Sequence, residues 1–325
     1  MLVLSDNEIS SLLDMKEAIE VVEEAFLELE EGVAKQPKRI VIEIHEKKGA
    51  VLLMPAYLPK EEVISTKLIT VYGENIMKGL PTSHSVILLC DPDTGMIECL
   101  MNGNFITAMR TGAASGVATK YLARKDAKVC GIIGAGAQAW TQLWAVLEMA
   151  KIDKVKVYDI VRERALDFAE RAREKFNVEV DAVKNAKEAC ENVDILITAT
   201  TSKTPVLKGE WLKEGTHINS IGWMGRDGRE LDSETVSISK IVVDKIDAAL
   251  SEIGDFLIPI SEGKISRDHI YAEIGEVIAG KKAGRVNDRE ITLWKSLGQA
   301  IQDAAVAKLA YLKAKEKGVG KQIEI

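Results

Sequence analysis

The sequence predicts an α/β protein in which a doubly wound parallel sheet follows a β-rich α+β domain. Before residue 100, the apolar runs have the length and alternation of strands joined by turns. From Lys128 onward, strand-like and helix-like segments alternate, as they do around a parallel sheet. A glycine-rich turn, Gly134-Ala135-Gly136-Ala137-Gln138-Ala139, lies near the start of this alternation. We therefore expect one domain over residues 1–115 with 303–325, and another over 116–302.

Length, composition and charge exclude several functional classes. The chain has 325 residues, of which 46% are hydrophobic and 29% charged, as in a globular protein with a large core. The 43 basic and 50 acidic residues give a net charge of −7, which argues against binding of nucleic acid. No apolar run has the length of a membrane span and the N-terminus lacks a signal core, so we expect a cytoplasmic protein without membrane contact. The four cysteines and four histidines are scattered, and no metal site is expected.

The first domain is predicted from local signals in chain order. Ser5-Asp6-Asn7-Glu8 is a capping box, and Asp14 begins a second helix that ends at Gly32. Alternating and β-branched runs predict strands at residues 39–43, 51–54, 63–72, 85–90 and 96–101. Asn104 is expected to cap a long helix that carries the chain to about Arg124.

The second domain is predicted as a succession of strands and helices. A strand at Val129–Ile133 precedes the glycine-rich turn, and a helix follows it. Further strands are expected at 155–159, 178–180, 194–199, 217–222 and 241–244, with helices at 162–176, 186–190, 270–279 and 290–312. The last helix is rich in alanine and is expected to return to the first domain.

The glycine-rich turn predicts binding of a dinucleotide. Gly134 allows the tight turn, Gly136 lets the backbone approach a ligand, and Ala139 is small where helix meets strand. Ala137 and Gln138 open the helix, whose free N–H groups attract a pyrophosphate. The strand before the motif and the helix after it favour a Rossmann-type cofactor site over an unrelated tight β–α turn.

Polar residues at the ends of later strands extend this site. Asp159 ends the next strand, where a carboxylate binds ribose hydroxyls and repels a 2′-phosphate, so NADH is expected as the preferred cofactor. Arg162 is a candidate partner for that phosphate, which leaves NADP open. Four residues after two other strands are expected to contact ribose and nicotinamide: Thr200, Thr201, Ser220 and Gly222. Ordinary strand-end loops would have the same composition.

Three cations outside the nucleotide domain are candidates for a substrate site: Arg39, Lys67 and Arg110. Lys67 lies inside an otherwise apolar strand, and burial lowers the pKa of a lysine towards the range useful in acid–base catalysis. Arg110 lies among small residues, and a guanidinium binds a carboxylate through two hydrogen bonds. From spacing alone, a surface charge is the commoner role of each residue.

Eight segments together resemble the ornithine cyclodeaminase/μ-crystallin family, in the same order and over nearly the whole chain. They are residues 53–58, 67, 79–81, 109–114, 134–139, 229–232, 273–277 and 298–303. The set includes Met109-Arg110-Thr111-Gly112-Ala113-Ala114 and Gly298-Gln299-Ala300-Ile301-Gln302-Asp303, and it is far more specific than the glycine motif alone. The resemblance implies a two-domain homodimer, in which the first domain and the C-terminal helix bind substrate and dimerise.

The resemblance also implies an activity and residue roles. Members of the family pass hydride between nicotinamide and the α-carbon of an imino or amino acid. By resemblance, Arg39 and Arg110 bind the substrate carboxylate, and Lys67 binds it and handles the proton. This assignment replaces the surface-charge interpretation. Gly298, in the last motif, and Ser296, two residues before it, are expected to complete the cofactor contacts.

One position departs from the ornithine cyclodeaminases of the family. Those enzymes have an aspartate shortly after the strand predicted at 217–222, and Met224 occupies that position here. Methionine neither accepts a proton nor pairs with an ammonium, so a distal amine would be buried without a partner. Met224 and Met54 instead favour a substrate with an apolar tail, and a cyclic ketimine fits. Asp227 is the candidate substitute acid if the loop shifts its register.

The sequence thus predicts an NAD(P)H-dependent oxidoreductase that reduces a small cyclic ketimine, Δ1-pyrroline-2-carboxylate or Δ1-piperideine-2-carboxylate, to the L-amino acid. Alanine dehydrogenase and ornithine cyclodeaminase are the alternatives within the family. A protein that binds NAD(P)H without catalysis is the alternative of another class. The intact pair of Lys67 and Arg110 favours the enzyme.

Overall fold

The computed structural model describes residues 1–324, apart from the side chain of Ile76. The chain divides into two compact units, Met1–Arg110 with the segment from Gly298 onward, and Thr111–Leu297. The boundaries expected from the sequence, at 115/116 and 302/303, lie a few residues further along the chain. The roles assigned to the two domains stay predictions.

The first unit contains a seven-stranded mixed sheet in the order β15-β1-β6-β5-β4-β3-β2. Its strands are β1 (Leu2–Leu4), β2 (Ile40–Ile44), β3 (Gly49–Leu58), β4 (Val63–Tyr72), β5 (Ser83–Cys90), β6 (Ile97–Asn102) and β15 (Lys321–Gln322). The β1–β6 pair is parallel and the other neighbouring pairs are antiparallel. The strand predicted at 63–72 has the observed bounds, and the one predicted at 51–54 is longer at both ends.

Three helices belong to this unit, α1 (Asp6–Leu12), α2 (Met15–Glu30) and α11 (Ala300–Lys317). The capping box at Ser5 and the cap at Asp14 are both confirmed. The helix α11 packs against α2, β3 and β4. Asp303, in the first turn of this helix, contacts Lys67 of β4.

The helix α3 (Asn104–Leu122) begins in the first unit and ends in the second. The prediction that Asn104 caps it was wrong, because Asn104 is its first helical residue. The side-chain oxygen of Asn102 accepts the N–H of Asn104 at 2.9 Å. The side-chain oxygen of Asn104 accepts the N–H of Ser85 at 3.0 Å, so it is engaged with β5 instead.

The second unit contains an eight-stranded sheet in the order β13-β12-β14-β11-β10-β7-β8-β9. Its strands are β7 (Val129–Ile133), β8 (Lys154–Tyr158), β9 (Glu179–Ala182), β10 (Ile195–Thr198), β11 (His217–Ser220), β12 (Ser239–Val243), β13 (Ile270–Glu273) and β14 (Ile291–Lys295). All neighbouring pairs are parallel, so the predicted doubly wound sheet is confirmed. Buried apolar clusters that include Phe168 and Leu293 make up its core.

Seven helices accompany this sheet: α4 (Ala137–Met149), α5 (Arg162–Phe176), α6 (Ala186–Cys190), α7 (Ser233–Ile238), α8 (Ile246–Glu252), α9 (Gly254–Ser261) and α10 (Ile274–Ile278). The predicted bounds of α5 and α6 are confirmed. The predicted helix at 270–279 was wrong, because its first half is the strand β13 and its second half is the short helix α10.

The predicted helix at 290–312 was also wrong in its first part. Residues 291–295 form β14, which lies between β11 and β12 and is paired on both edges. A strand covered on both faces has a continuous apolar pattern, which does not distinguish it from a buried helix. Gly298 has a φ of +81°, and α11 starts after it.

The strand order reverses beside β7, which has β8 on one edge and β10 on the other. Ile133, the last residue of β7, pairs with Thr198, the last residue of β10. Ligands of doubly wound sheets bind beyond the carboxyl ends of the strands at such a point. The glycine-rich turn after β7 and the polar segment after β10 therefore flank the expected ligand crevice.

Candidate active site

The glycine-rich turn has the geometry of a dinucleotide-binding loop. Gly134 has a φ of +99°, and a Cβ atom there would lie 2.5 Å from the carbonyl oxygen of Ala199. Gly136 caps α4 without a side chain, and a Cβ atom there would meet no atom within 4 Å. Open space therefore lies in front of the first turn of α4, where free N–H groups and the helix dipole favour a phosphate. Ala137 and Gln138 are the first two residues of that helix.

Asp159 and Arg162 lie after β8, at the position expected for the adenosine ribose. The two carboxylate oxygens of Asp159 accept the N–H groups of Ala135 and Val161, each at 2.8 Å. Asp159 thus ties the glycine-rich turn to the end of β8 and places a negative charge there. The Arg162 guanidinium donates to the carbonyl oxygens of Ala182 and Val183 at 2.9 and 2.7 Å, so two backbone acceptors already hold it.

A pocket of about 250 Å³ lies beyond the ends of β10 and β11 in the second unit. Its lining residues are Gln138, Ala199, Thr200, Thr201, Ile221, Gly222, Trp223 and Met224. Five of them were predicted from the sequence, whereas Ser220 is fully buried and does not line the pocket. Ser296 is also buried and donates its N–H to the carbonyl oxygen of Ser220 at 3.3 Å. Together with the open helix terminus and Asp159, the pocket fits a nicotinamide dinucleotide.

A glutamate holds the two loops of this pocket together. Glu230 is fully buried, and its carboxylate accepts the N–H of Thr200 at 2.7 Å and the hydroxyl of Thr198 at 3.1 Å. A Cβ atom on Gly222 would lie 2.0 Å from the same carboxylate. Burial raises the pKa of Glu230, and the charge of Lys295 and the hydrogen bonds from Thr200 oppose that rise.

Glu230 belongs to a cluster that we call the buried triad, which consists of Lys295, Asp255 and Glu230. All three are fully buried. The Lys295 ammonium lies 2.8 Å from a carboxylate oxygen of Asp255 and donates to the Ser220 hydroxyl at 3.2 Å. The other oxygen of Asp255 accepts the N–H of Glu230 at 2.8 Å. The triad therefore connects β14, α9 and the segment that holds both pocket loops.

The first unit contains a second group of charges, which we call the cation cluster. It consists of the buried cations Lys67 and Arg110, which contact the single acid Asp303, and of the half-buried Arg39, whose charge acts on Lys67. The Lys67 ammonium lies 2.6 Å from one carboxylate oxygen of Asp303, and Nε of Arg110 lies 3.1 Å from the other. Lys67 is 1% exposed, Arg110 is 7% exposed and Asp303 is fully buried. Three cations around one acid leave an excess of positive charge, which an anionic ligand would balance.

Burial dominates the electrostatics of Lys67. It lowers the pKa of Lys67 to about 8, with Asp303 opposing the change and Arg110 and Arg39 adding to it. Met54 pairs with Lys67 across β3 and β4 and is buried, so apolar surface lies next to the ammonium. An ammonium with a pKa near neutrality is able to donate a proton in catalysis.

Two residues beside α11 complete the surroundings of Arg110. The side-chain oxygen of Gln302 accepts from a terminal nitrogen of the guanidinium at 2.8 Å. A Cβ atom on Gly298 would lie 2.5 Å from the same nitrogen. Gly298, which the sequence assigned to the cofactor, thus belongs to the first unit and leaves space for Arg110.

Asp227, the candidate substitute for an acid at Met224, is already paired. Its carboxylate accepts from the Lys203 ammonium at 2.7 Å, and this bond lowers the pKa of Asp227. Met224 itself is 42% exposed and lines the pocket. Within residues 1–324, no three His, Cys, Asp or Glu side chains are grouped so that they would hold a metal ion. Over the same range, no helix is both long and apolar enough to cross a membrane.

Sequence reasoning missed the acids of both clusters. The sequence places Asp303 and Glu230 within motifs but predicts no role for either. Lys295 gives a signal similar to that of Lys67, because it is a cation that directly follows an apolar run, but the predicted helix at 290–312 concealed it.

The comparison with known proteins agrees with this geometry. The model of the ornithine cyclodeaminase/mu-crystallin family matches residues 1–318. A Δ1-pyrroline-2-carboxylate reductase of Bacillus cereus is 40% identical over 325 residues, which cover 100% of both chains. An alanine dehydrogenase of Archaeoglobus fulgidus is 41% identical over 323 residues, which cover 99% of this chain and 98% of that protein.

A solved structure is more similar still. The Δ1-pyrroline-2-carboxylate reductase of Thermococcus litoralis, in complex with NADH and L-proline, superposes with a TM-score of 0.97 at 57% identity. The match covers 99% of this chain and 100% of that one. The chain therefore belongs to the ornithine cyclodeaminase/mu-crystallin family, as the resemblance of its motifs predicted.

Proposed function

We propose that this protein is an NAD(P)H-dependent reductase of cyclic ketimines that converts Δ1-pyrroline-2-carboxylate to L-proline. The observation that carries the proposal is the 57% identity, over 99% of the chain, to a reductase whose structure contains NADH and L-proline. The cation cluster supports it independently, because its excess positive charge suits a substrate with one carboxylate. Δ1-Piperideine-2-carboxylate, which carries the same carboxylate and imine on a larger ring, is the second substrate of this class.

The cation cluster binds the carboxylate and activates the imine. The Arg110 guanidinium is suited to a bidentate bond to the substrate carboxylate, and Arg39 and Lys67 add charge. Reduction of the C=N bond places a hydride on carbon and a proton on nitrogen. With its pKa lowered to about 8, Lys67 is largely protonated at pH 7 and supplies that proton. NADH, when bound, supplies the hydride.

The second unit holds and selects the cofactor. The turn at Gly134 and Gly136 and the N-terminus of α4 bind the pyrophosphate. The negative charge of Asp159 favours NADH over NADPH, because it repels a 2′-phosphate. Arg162 is held by two carbonyl oxygens and would have to leave them to bind that phosphate. Thr200 and the other residues of the pocket contact the nicotinamide end.

Two methionines, one in each unit, favour an apolar ring over a diamino acid. Met54 lies beside Lys67, and Met224 stands where the cyclodeaminases of the family carry an acid. Asp227 does not replace that acid, because Lys203 already pairs with it. A distal ammonium would therefore lose its hydration without gaining a partner.

We further propose a homodimer that forms through the first unit, in the cytoplasm. The edge strand β2 exposes three consecutive apolar residues, Ile40, Val41 and Ile42, by 55, 47 and 55%. An exposed apolar edge strand is a liability unless it is covered. Sedimentation of the intact protein, compared with an Ile40→Lys and Ile42→Lys double variant, tests whether this strand is the interface.

Steady-state kinetics with a panel of substrates tests the function. NADH oxidation is followed with Δ1-pyrroline-2-carboxylate, Δ1-piperideine-2-carboxylate, and pyruvate plus ammonia, and ammonia release is followed with L-ornithine. We expect the highest kcat/KM for a cyclic ketimine, with NADH preferred to NADPH. Faster reduction of pyruvate plus ammonia would instead establish alanine dehydrogenase, which the 41% identical Archaeoglobus fulgidus protein keeps as the second candidate. NADH binding without any turnover would establish a silent binding protein.

A further inference from the structure

We infer that Asp303 is a positioning residue, which holds Lys67 and Arg110 in the arrangement that the substrate carboxylate requires. This inference rests on the proposed function and deepens it. It assigns a role to an acid that contacts neither substrate nor cofactor in the proposed mechanism. Asp303 acts through the two cations.

One carboxylate joins three elements of the first unit. Asp303 lies in the first turns of α11, Lys67 lies in the middle of β4, and Arg110 lies in α3. One oxygen of Asp303 contacts Lys67 at 2.6 Å and the other contacts Arg110 at 3.1 Å. Because each oxygen has its own cation, the carboxylate fixes the distance between the ammonium and the guanidinium.

The local backbone and a neighbouring side chain support this geometry. Gln302, the residue before Asp303, accepts from the terminal nitrogen of Arg110 at 2.8 Å. Gly298 lacks a side chain at a place where a Cβ atom would clash with the guanidinium of Arg110. Gln299, the N-cap residue of α11, accepts from the side chain of Gln36, which also accepts the N–H of Ile301 at 3.2 Å. The start of α11 is therefore built to present Asp303 to both cations.

Charge explains why an acid is needed at this place. The charged groups that act most on Lys67 are Asp303, Arg110 and Arg39, and of these three Asp303 alone is negative. Two cations held close together in a buried site repel each other strongly. Without Asp303, Lys67 and Arg110 would separate or Lys67 would lose its proton, and either change removes the arrangement described above.

The variant Asp303→Asn keeps the shape of the side chain and removes its charge. We expect kcat/KM for Δ1-pyrroline-2-carboxylate to fall about 100-fold, a size typical of losing a correctly placed proton donor. The alkaline limb of the kcat/KM profile moves to lower pH, because loss of a negative neighbour disfavours the protonated form of Lys67. NADH binding, followed by fluorescence, stays unchanged.

A matched control separates this role from general stability. Glu28 of α2 is a second buried acid of the same unit and is 1% exposed. Its carboxylate accepts the N–H of Lys60 at 3.2 Å. The variant Glu28→Gln removes a buried charge without touching Lys67 or Arg110. We expect the alkaline limb of the kcat/KM profile of Glu28→Gln to lie at the same pH as that of the wild type. An Asp303→Asn enzyme that is slower but keeps the wild-type pH profile would show that Asp303 has a structural role alone, and the inference would be wrong.

Binding of a carboxylate gives a readout besides activity. Calorimetric titration with pyrrole-2-carboxylate, a planar analogue, is expected to show about tenfold weaker binding to Asp303→Asn at pH 7. Tighter binding would mean that Asp303 merely competes with the substrate for the cations, which contradicts positioning. This titration tests Asp303 even if the wild type fails to reduce the ketimine, so failure of the proposed function is recognised separately.

A double variant covers the case in which Asp303→Asn alone does not fold. In Lys67→Met with Asp303→Asn, the buried acid and its main cation are removed together. Because Asp303 acts through Lys67 and Arg110, only its effect on Arg110 is left to lose in Lys67→Met, and adding Asp303→Asn there lowers kcat/KM less than tenfold further. A further loss of 100-fold in the double variant would place the role of Asp303 elsewhere and overturn the inference.

Discussion

The two units each bury a lysine against an aspartate, yet the two clusters have opposite charge balances. In the cation cluster, Lys67 and Arg110 contact the single acid Asp303 and the charge of Arg39 also acts on Lys67, so positive charge is in excess. In the buried triad, one ammonium, that of Lys295, faces two carboxyl groups. The comparison separates two roles of buried charge. An excess of positive charge suits the binding of an anion, whereas an excess of acids suits hydrogen bonding to the backbone.

The hydrogen bonds of the acids show the same contrast. Glu230 and Asp255 accept mainly from backbone N–H groups and hydroxyls, and thereby fix the loops after β10 and β11. The bonds of Asp303 go instead to the two cations. We therefore expect substitutions in the triad to reduce stability and cofactor affinity, and substitutions in the cation cluster to reduce chemistry.

Among the substitutions that test this comparison, Lys67→Met is expected to have the largest effect. We expect kcat/KM for Δ1-pyrroline-2-carboxylate to fall about 10³-fold, because both a carboxylate contact and the proton donor are lost. NADH affinity, measured by fluorescence titration, stays within twofold of the wild type. Turnover at the wild-type rate would remove Lys67 from the mechanism.

Lys295→Met breaks the other cluster and acts on stability. Removing the ammonium leaves Asp255 and Glu230 buried without their cation, which costs about 3–5 kcal/mol of unfolding free energy. Chemical denaturation measures this loss. The control is Arg289→Met, whose pair with Glu214 is exposed, and its denaturation midpoint should not move. Equal midpoints for the two variants would contradict the role given to the triad.

Gly222→Ala perturbs the triad from the pocket side. The new Cβ atom would lie 2.0 Å from the Glu230 carboxylate, so Glu230 has to move and its bond to Thr200 is weakened. We expect the KM for NADH to rise about tenfold. The matched control is Gly73→Ala, where a Cβ atom meets nothing within 4 Å. An unchanged KM in Gly222→Ala would show that the pocket does not bind the cofactor.

The smallest expected effect is the pH response of the wild-type enzyme. Burial lowers the pKa of Lys67 to about 8, so its protonated fraction falls as the pH rises through that value. If the protonated form is the active one, kcat/KM at pH 8 is about half of its value at lower pH. A profile that stays flat to pH 10 would exclude Lys67 as the proton donor.

The sequence predicted the parts of the molecule that depend on local signals. The turn at Gly134, the helix at Arg162–Phe176 and the capping box at Ser5 follow from residues near each other in the chain. Lys67 stood out because an ammonium inside an apolar strand is costly. Asp303 did not stand out, because its role depends on contacts with cations that lie 193 or more residues away in the chain.

Burial on both faces caused the main errors. The continuous apolar pattern of the strand β14 also fits the start of a helix, and only its pairing with β11 and β12 distinguishes the two. That error concealed Lys295 and with it the buried triad. Long-range pairing and tertiary ion pairs leave no periodic trace in a single sequence.

The position of the transferred hydrogen tests the central claim most directly. The protein is incubated with Δ1-pyrroline-2-carboxylate and NADH that carries two deuterium atoms at C4 of the nicotinamide, and the product is analysed by NMR and mass spectrometry. The account predicts L-proline with one deuterium on the α-carbon, formed by the wild type and formed about 10³-fold more slowly by Lys67→Met. Absence of labelled proline, with labelled alanine formed from pyruvate and ammonia instead, would contradict it.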